Sequence, residues 1–224
     1  MHRDVVIAGF ARSPFHLAKK GALARVRPDD LAANTVAGLI KRTGIDAGDI
    51  EDVIVGCAFP EAEQGFNIAR LIGMIAGLPQ SVAGVTVNRF CGSSMQAIHM
   101  AAGSIQMNAG EAFICAGIES MSRVPMTGFN PMPNPALHAA NAGAYMAMGT
   151  TAENLARKYQ ITRQSQEDFA VESHRRAAAA QAAGKFADEI VPMGEVATDG
   201  CIRPDTNPAA LADLKPAFDA EGTV

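Results

Sequence analysis

Val85-Thr86-Val87-Asn88-Arg89-Phe90-Cys91-Gly92-Ser93-Ser94-Met95 reads as an apolar, β-branched strand that ends in a short turn and runs straight into a helix. The helix continues as Ser93–Met107, and a further apolar run, Ala112–Gly117, follows it. Upstream, Val5–Phe10 and Val53–Ala58 have the same strand-like character. Between those two, Pro28-Asp29-Asp30 opens a helix with proline and acids in its first turn, and Gly44 stops it. A second helix fits Asn67–Ile75. Short apolar strands alternating with helical patterns predict an α/β fold built from βαβ units on a mainly parallel sheet.

Cys91 sits at the strand-to-helix turn. A thiol at a helix N-terminus faces backbone N–H groups and the positive end of the helix dipole, which favours thiolate over thiol and suits a nucleophile. Gly92 removes a side chain where a substrate carbonyl would approach, and backbone N–H groups there could stabilise an oxyanion. On spacing alone a structural cysteine at such a junction would look the same. Cys57 and Cys115 each lie inside an apolar run and read as small buried hydrophobes.

After Gly117 the composition changes. Pro125, Pro131, Pro133 and Pro135, with several Gly, Asn and Met residues, predict irregular chain over Glu119 to Met146. Thr150-Thr151-Ala152-Glu153 reads as a capping box, followed by helices over Thr151–Tyr159 and Arg163–Ala183, the second stopped at Gly184. From Asp188 onward, Pro192, Pro204, Pro208 and Pro216 predict short extended pieces. The chain is thus expected to divide into residues 1–118, an α/β part lacking its closing strand, and residues 119–224, a helical and irregular part.

The 224 residues are 48% hydrophobic and 19% charged, enough to bury a sizeable core. A net charge of −4 offers no basic face for nucleic acid. No run approaches the ~20 apolar residues that span a bilayer, and the first residues are too short for a signal-peptide core. No membrane partner and a cytoplasmic location are the expectation. Four scattered cysteines without a CxxC pair argue against zinc ribbons and redox motifs. His2, His16, His99, His138 and His174 have no partner at metal-ligand spacing and read as surface or structural residues; no metal is expected. Arg175-Arg176 reads as part of a solvated helix face.

Asn88-Arg89-Phe90-Cys91-Gly92-Ser93-Ser94-Met95-Gln96-Ala97 resembles the first cysteine signature of the thiolases. Further stretches resemble that family in the same order: Gly117-Ile118-Glu119-Ser120-Met121-Ser122, Met148-Gly149-Thr150-Thr151-Ala152-Glu153-Asn154, Ile202-Arg203-Pro204-Asp205-Thr206 and Leu214-Lys215-Pro216-Ala217-Phe218. The resemblance covers essentially the whole chain. It implies a layered fold of two similar halves with mixed sheets, of which this chain carries the first, with an inserted domain that covers coenzyme A. The family's second-half motifs, an Asn-Glu-Ala-Phe run, a Gly-His-Pro histidine and a second cysteine, are not found in these residues.

The activity implied is acyl transfer between 3-ketoacyl-CoA and coenzyme A through an acyl-cysteine on Cys91, as in fatty acid metabolism. Coenzyme A and acyl-CoA are then substrates, and no cofactor is expected. The resemblance places Met148 beside the pantetheine and acyl end, Arg203 near the adenosine end and Phe218 against the pantetheine arm. A homodimer or homotetramer, and a β-oxidation partner subunit, are the partners it implies. Two departures matter. Ala147 stands where acetoacetyl-CoA-type biosynthetic thiolases carry histidine, which leans toward the degradative type. Gly200-Cys201 replaces an acidic pair before Ile202-Arg203. The competing readings are a ketoacyl synthase of the same superfamily and a non-catalytic coenzyme A-binding or dimerisation fragment.

Overall fold

Ile50–Gly56 forms the central strand, β1, and its burial explains its composition. Val53 and Val55 face one side and Ile54 the other, all at most 2% exposed, so both faces are covered as expected of a central parallel strand. In the computed structural model, which describes residues 3–224, β1 pairs in parallel with β2 (Ala83–Val87) on one side and β3 (Ala112–Gly117) on the other. The sheet order is β2-β1-β3. Both pairings of this three-stranded sheet are parallel, so the expected mixed sheet is not seen in it.

Three helices provide the cover. α1 (Pro28–Thr43) ends at Gly44, whose left-handed φ of 69° lets its N–H cap Ile40 O at 2.9 Å, as the sequence pattern requires. α1 and α2 (Ile68–Ile75) bury Ala32, Ala33, Val36, Ile68, Ala69 and Ile72 with Val53, Val55 and Ile114. α3 (Ser93–Gln106) buries Ala97 and Ala101 against Ile54, with Val85, Val87, Phe113 and Cys115 packed around them. Its N-terminus lies flush on the strand ends: a Cβ on Gly56 would collide with the backbone of Ser93 and Ser94, and one on Gly117 with the Ser94 side chain.

The chain divides into two compact units, residues 1–130 with 188–201, and residues 131–187 with 202–224. The boundary falls beyond the expected 118/119 division because residues 119–129 are tied to the sheet unit. Glu119 and Ser120 bond into it, Arg123 pairs with Glu63, and the Phe129 N–H donates to Glu61 Oε2 at 2.7 Å. The sheet unit also takes residues 188–201. Arg12 exchanges backbone bonds with Glu189 and Val191, holds Asp199 through two nitrogens at 2.7 Å each, and donates to Glu189 Oε1 at 2.7 Å.

The second unit carries α4 (Pro135–Ala140), α5 (Met148–Tyr159), α6 (Arg163–Ala182) and α7 (Pro208–Ala212). α4 corrects the expectation of irregular chain over Glu119 to Met146, and α7 that of short extended pieces from Asp188 onward. Proline is compatible with a first helical position, where Pro135 and Pro208 both stand, and Asn134 and Asn207 cap the helices by accepting from Leu137 and Ala210 N–H.

Two further expectations fail. Val5–Phe10 forms no strand: it has no sheet partner among the described residues, and Val6 and Ile7 are more than three-quarters exposed. A β-branched apolar run signals a strand only where a neighbouring edge meets it. The capping box at Thr150–Glu153 is not formed either. The helix starts earlier, at Met148, and Glu153 is 2% exposed, accepting from the backbone N–H groups of Thr223 and Val224 instead. No helix among the described residues is long and apolar enough to cross a membrane.

Candidate active site

Of the four free cysteines only Cys91 is exposed. Burial pushes the Cys57 thiol up to about 11, with the neighbouring Glu119 carboxylate adding to the effect, and burial also raises Cys115. Both remain thiols at neutral pH and behave as the buried hydrophobes expected of them. Cys201 is half-buried.

The turn that carries Cys91 is built by short-range polar bonds. β2 ends at Val87; the Asn88 side chain then accepts from the Phe90 N–H at 2.8 Å and donates to Ala58 O at 2.9 Å. Ser93, 3% exposed, accepts from the Arg89 N–H at 2.8 Å and donates to Phe90 O at 2.5 Å. Between these anchors Phe90 adopts a φ of 46°, a left-handed conformation uncommon for a non-glycine residue. Its ring meets that of Phe59, with centroids 6.0 Å apart. Cys91 follows, with Gly92 as the N-cap of α3.

One detail corrects the expected chemistry. The Gly92 N–H donates to Arg89 O and the Ser93 N–H to Phe90 O, both at 3.0 Å, so these two amides are engaged inside the turn and not open to an oxyanion. Among the described residues no hydrogen bond reaches Cys91 Sγ. Neither Asn88 nor Ser93 stands out by residue type, since both are common in turns.

In the second unit the other three candidate residues are all exposed. Met148 is the first residue of α5. Beside it Gly149 leaves room for the Phe218 ring, which a Cβ there would strike. The chain around Phe218 is fixed by Arg157 paired with Asp219, by Glu153 under Thr223 and Val224, and by Arg163 donating to the carbonyls of Leu211, Leu214 and Thr223. Met148 and Phe218 are thus brought to one place by Gly149. Arg203 is held differently: its backbone N–H donates to His174 Nδ1 at 3.1 Å, and its guanidinium makes no ion pair among the described residues.

Two other histidines, His16 and His138, are occupied structurally, while His99 is exposed on α3. His16 Nε2 lies 3.0 Å from Thr198 O and His138 stacks on Tyr145; His2 lies outside the described residues. Arg175 and Arg176 both pair with Glu172, whose carboxyl they hold down at about 2. No group of three or more His, Cys, Asp or Glu among the described residues could hold a metal ion.

The family profile described as "Thiolase, N-terminal domain" matches residues 5–224. The chain belongs to the thiolase family. Its relatives include a 3-ketoacyl-CoA thiolase of Bacillus subtilis, 47% identical over 99% of this chain and 61% of that protein. A 3-ketoacyl-CoA thiolase of Acinetobacter baumannii is 47% identical over 98% of this chain and 58% of its own length. One from Saccharophagus degradans is 44% identical, covering 98% of this chain and 59% of that protein. The chain therefore spans about three-fifths of the length of the curated relatives it matches. In this thiolase chain Cys91 stands at the tip of the strand-to-helix turn.

Proposed function

We propose that this chain supplies the nucleophile of a 3-ketoacyl-CoA thiolase, with Cys91 as the acyl-accepting thiol. The observation that carries the reading is that Cys91 alone among four cysteines is exposed, on a turn braced at both ends by side chains. The Cys91 thiolate adds to the 3-keto carbon, the bond between C2 and C3 breaks, and the shortened acyl group stays on sulfur as a thioester. The departing acetyl-CoA carbanion takes a proton. The thiol of incoming coenzyme A then attacks the thioester, loses its proton to a base and restores the Cys91 thiolate.

Coenzyme A and acyl-CoA act here as substrates, with no further cofactor. The second unit, residues 131–187 with 202–224, provides the coenzyme A-covering insertion, with Met148 and Phe218 along the pantetheine and Arg203 toward the adenosine. The exposure of all three, against the well-tied chain around Phe218, supports a surface waiting for a ligand. The base and the second proton carrier belong to a second half of the fold. The names of the relatives and Ala147 favour the degradative direction. A homodimer or homotetramer in the cytoplasm completes the reading.

The test is mass spectrometry of the full-length protein after incubation with acetyl-CoA. An added acetyl group is expected on Cys91 and not on Cys57, Cys115 or Cys201. Cys91→Ser should lower thiolysis at least about a thousandfold, because an unactivated hydroxyl is a poor nucleophile. Near-normal turnover in that variant would refute the assignment.

A further inference from the structure

We infer that Glu119 and Asn88 are positioning residues for Cys91, acting through the loop that follows β1. Neither bonds to the thiol. Glu119, two residues past β3, accepts from the Ala58 N–H on Oε2 at 2.7 Å and from Gln64 Nε2 on Oε1 at 2.6 Å. Gln64 is fully buried and completes the brace: Nε2 also donates to Phe59 O at 2.9 Å, and Oε1 accepts from the Ser120 N–H at 2.6 Å. The Cys57 N–H adds a bond to Val87 O at 3.0 Å, which joins this loop to the end of β2.

Residues 57–59 are therefore fixed from behind, and they fix the nucleophile turn in front. Ala58 O receives the Asn88 amide, Asn88 Oδ1 receives the Phe90 N–H, and the Phe59 ring meets the Phe90 ring. Phe90 is the left-handed residue immediately before Cys91, so its conformation sets the direction in which the thiol leaves the turn. The chemistry at position 119 is specific. Donors face both carboxyl oxygens, which demands a group that only accepts; a carboxamide of the same shape would set its NH2 against a donor. Position 88 needs the opposite, one acceptor and one donor on a single side chain, which Asn has and Asp lacks.

This inference rests on the reading of Cys91 as the acyl-accepting thiol, and its test separates the two. Glu119→Gln and Asn88→Asp are made in the full-length protein. Three quantities are measured: the single-turnover rate of Cys91 acetylation by acetyl-CoA, its dependence on acetyl-CoA concentration, and the rate of Cys91 alkylation by iodoacetamide. Alkylation has little demand on direction, whereas acyl transfer needs the sulfur aimed at a bound carbonyl. Both variants are expected to lose about tenfold or more in acetylation rate, with half-saturation within about twofold and alkylation within about threefold of the parent. Asn88→Asp keeps the Phe90 bond and loses only the link to Ala58, so it reports on the inference even where Glu119→Gln fails to fold. Parental acetylation rates in the folded variants would overturn the inference, as would an equal fall in alkylation, which would mean general disturbance. Should the parent take no acetyl group on Cys91, the underlying reading falls by itself. Amide exchange then decides the positioning: faster exchange of the Phe90 N–H in Glu119→Gln supports it, and unchanged exchange overturns it.

Discussion

The turn that carries Cys91 and the exposed side chains of Met148, Arg203 and Phe218 are built in opposite ways. Around Cys91, the side chains of Asn88 and Ser93 make four bonds to backbone, and the buried Gln64, bonded to the exposed Glu119, stands behind them. Met148, Arg203 and Phe218 are exposed, and what is fixed is the chain that presents them, through Glu153, Arg157 and Arg163. A reacting atom must be aimed before substrate arrives, because misplacement is felt directly in the rate. A binding surface can leave its contact residues open and let the ligand cover them.

The sharpest way to break this contrast is at the seat of α3. Gly56→Val places a side chain where the Ser93 and Ser94 backbone already lies, and neither strand nor helix can yield cheaply. A loss of about 3 kcal/mol or more is expected in denaturant unfolding, with the helix that follows Cys91 displaced. Unfolding at the parental midpoint would show that the seat is looser than described. On the binding side, Arg203→Ala should raise the Michaelis constant for coenzyme A about fivefold while the turnover number stays within about twofold, since uniform binding is lost. A fall in turnover alone would place Arg203 with the aimed residues.

The smallest effects come from two aspartates of the sheet unit with opposite signs. Arg12 holds the Asp199 carboxyl below its usual range, helped by the Phe15 N–H. Its contribution is present above the unfolded carboxylate value and is lost as pH falls through the lowered folded value. Asp199→Asn should therefore flatten the acid side of the stability profile. Asp52 is raised, chiefly by burial, and its Oδ1 is buried without a hydrogen-bond partner among the described residues. Its protonated form is the better folded one: the benefit is full below the unfolded value and disappears as pH rises through the raised folded value. Asp52→Asn is expected to stabilise the protein by at most about 1 kcal/mol at neutral pH and by nothing in strong acid, in thermal melts across pH. A destabilised variant at neutral pH would show that the carboxylate serves a purpose there.

Three strands and the five long helices were legible because local chemistry and packing agree in them: Gly44 ends α1 in the conformation its residue type favours, and β1 is apolar because both its faces are covered. Val5–Phe10 misleads for the converse reason, since periodicity reports what a segment could pair with and not whether an edge is there. The placement of Cys91 between strand and helix was legible. The brace around it was not, because Glu119 and Gln64 lie 55 residues apart and act on backbone groups that every residue carries. Glu153 was read as a local cap, yet its partner amides lie 70 and 71 residues further along. Local patterns carry no trace of so distant a bond.

The way residues 188–201 return to the sheet unit has a consequence for biosynthesis. Arg12 emerges from the ribosome early, whereas its carboxylate partners Glu189 and Asp199 follow 177 and 187 residues later. At a synthesis rate of about 5–20 residues per second, that interval is on the order of ten seconds or more. Through it the sheet can pair and bury its helices, yet the strap across Arg12 cannot form until α6 of the other unit has been made. Residues 131–187, the first segment of the second unit, are thus enclosed in time as well as in sequence, and a nascent chain stalled before Asp199 would present an arginine whose carboxylate partner only its own continuation can bring.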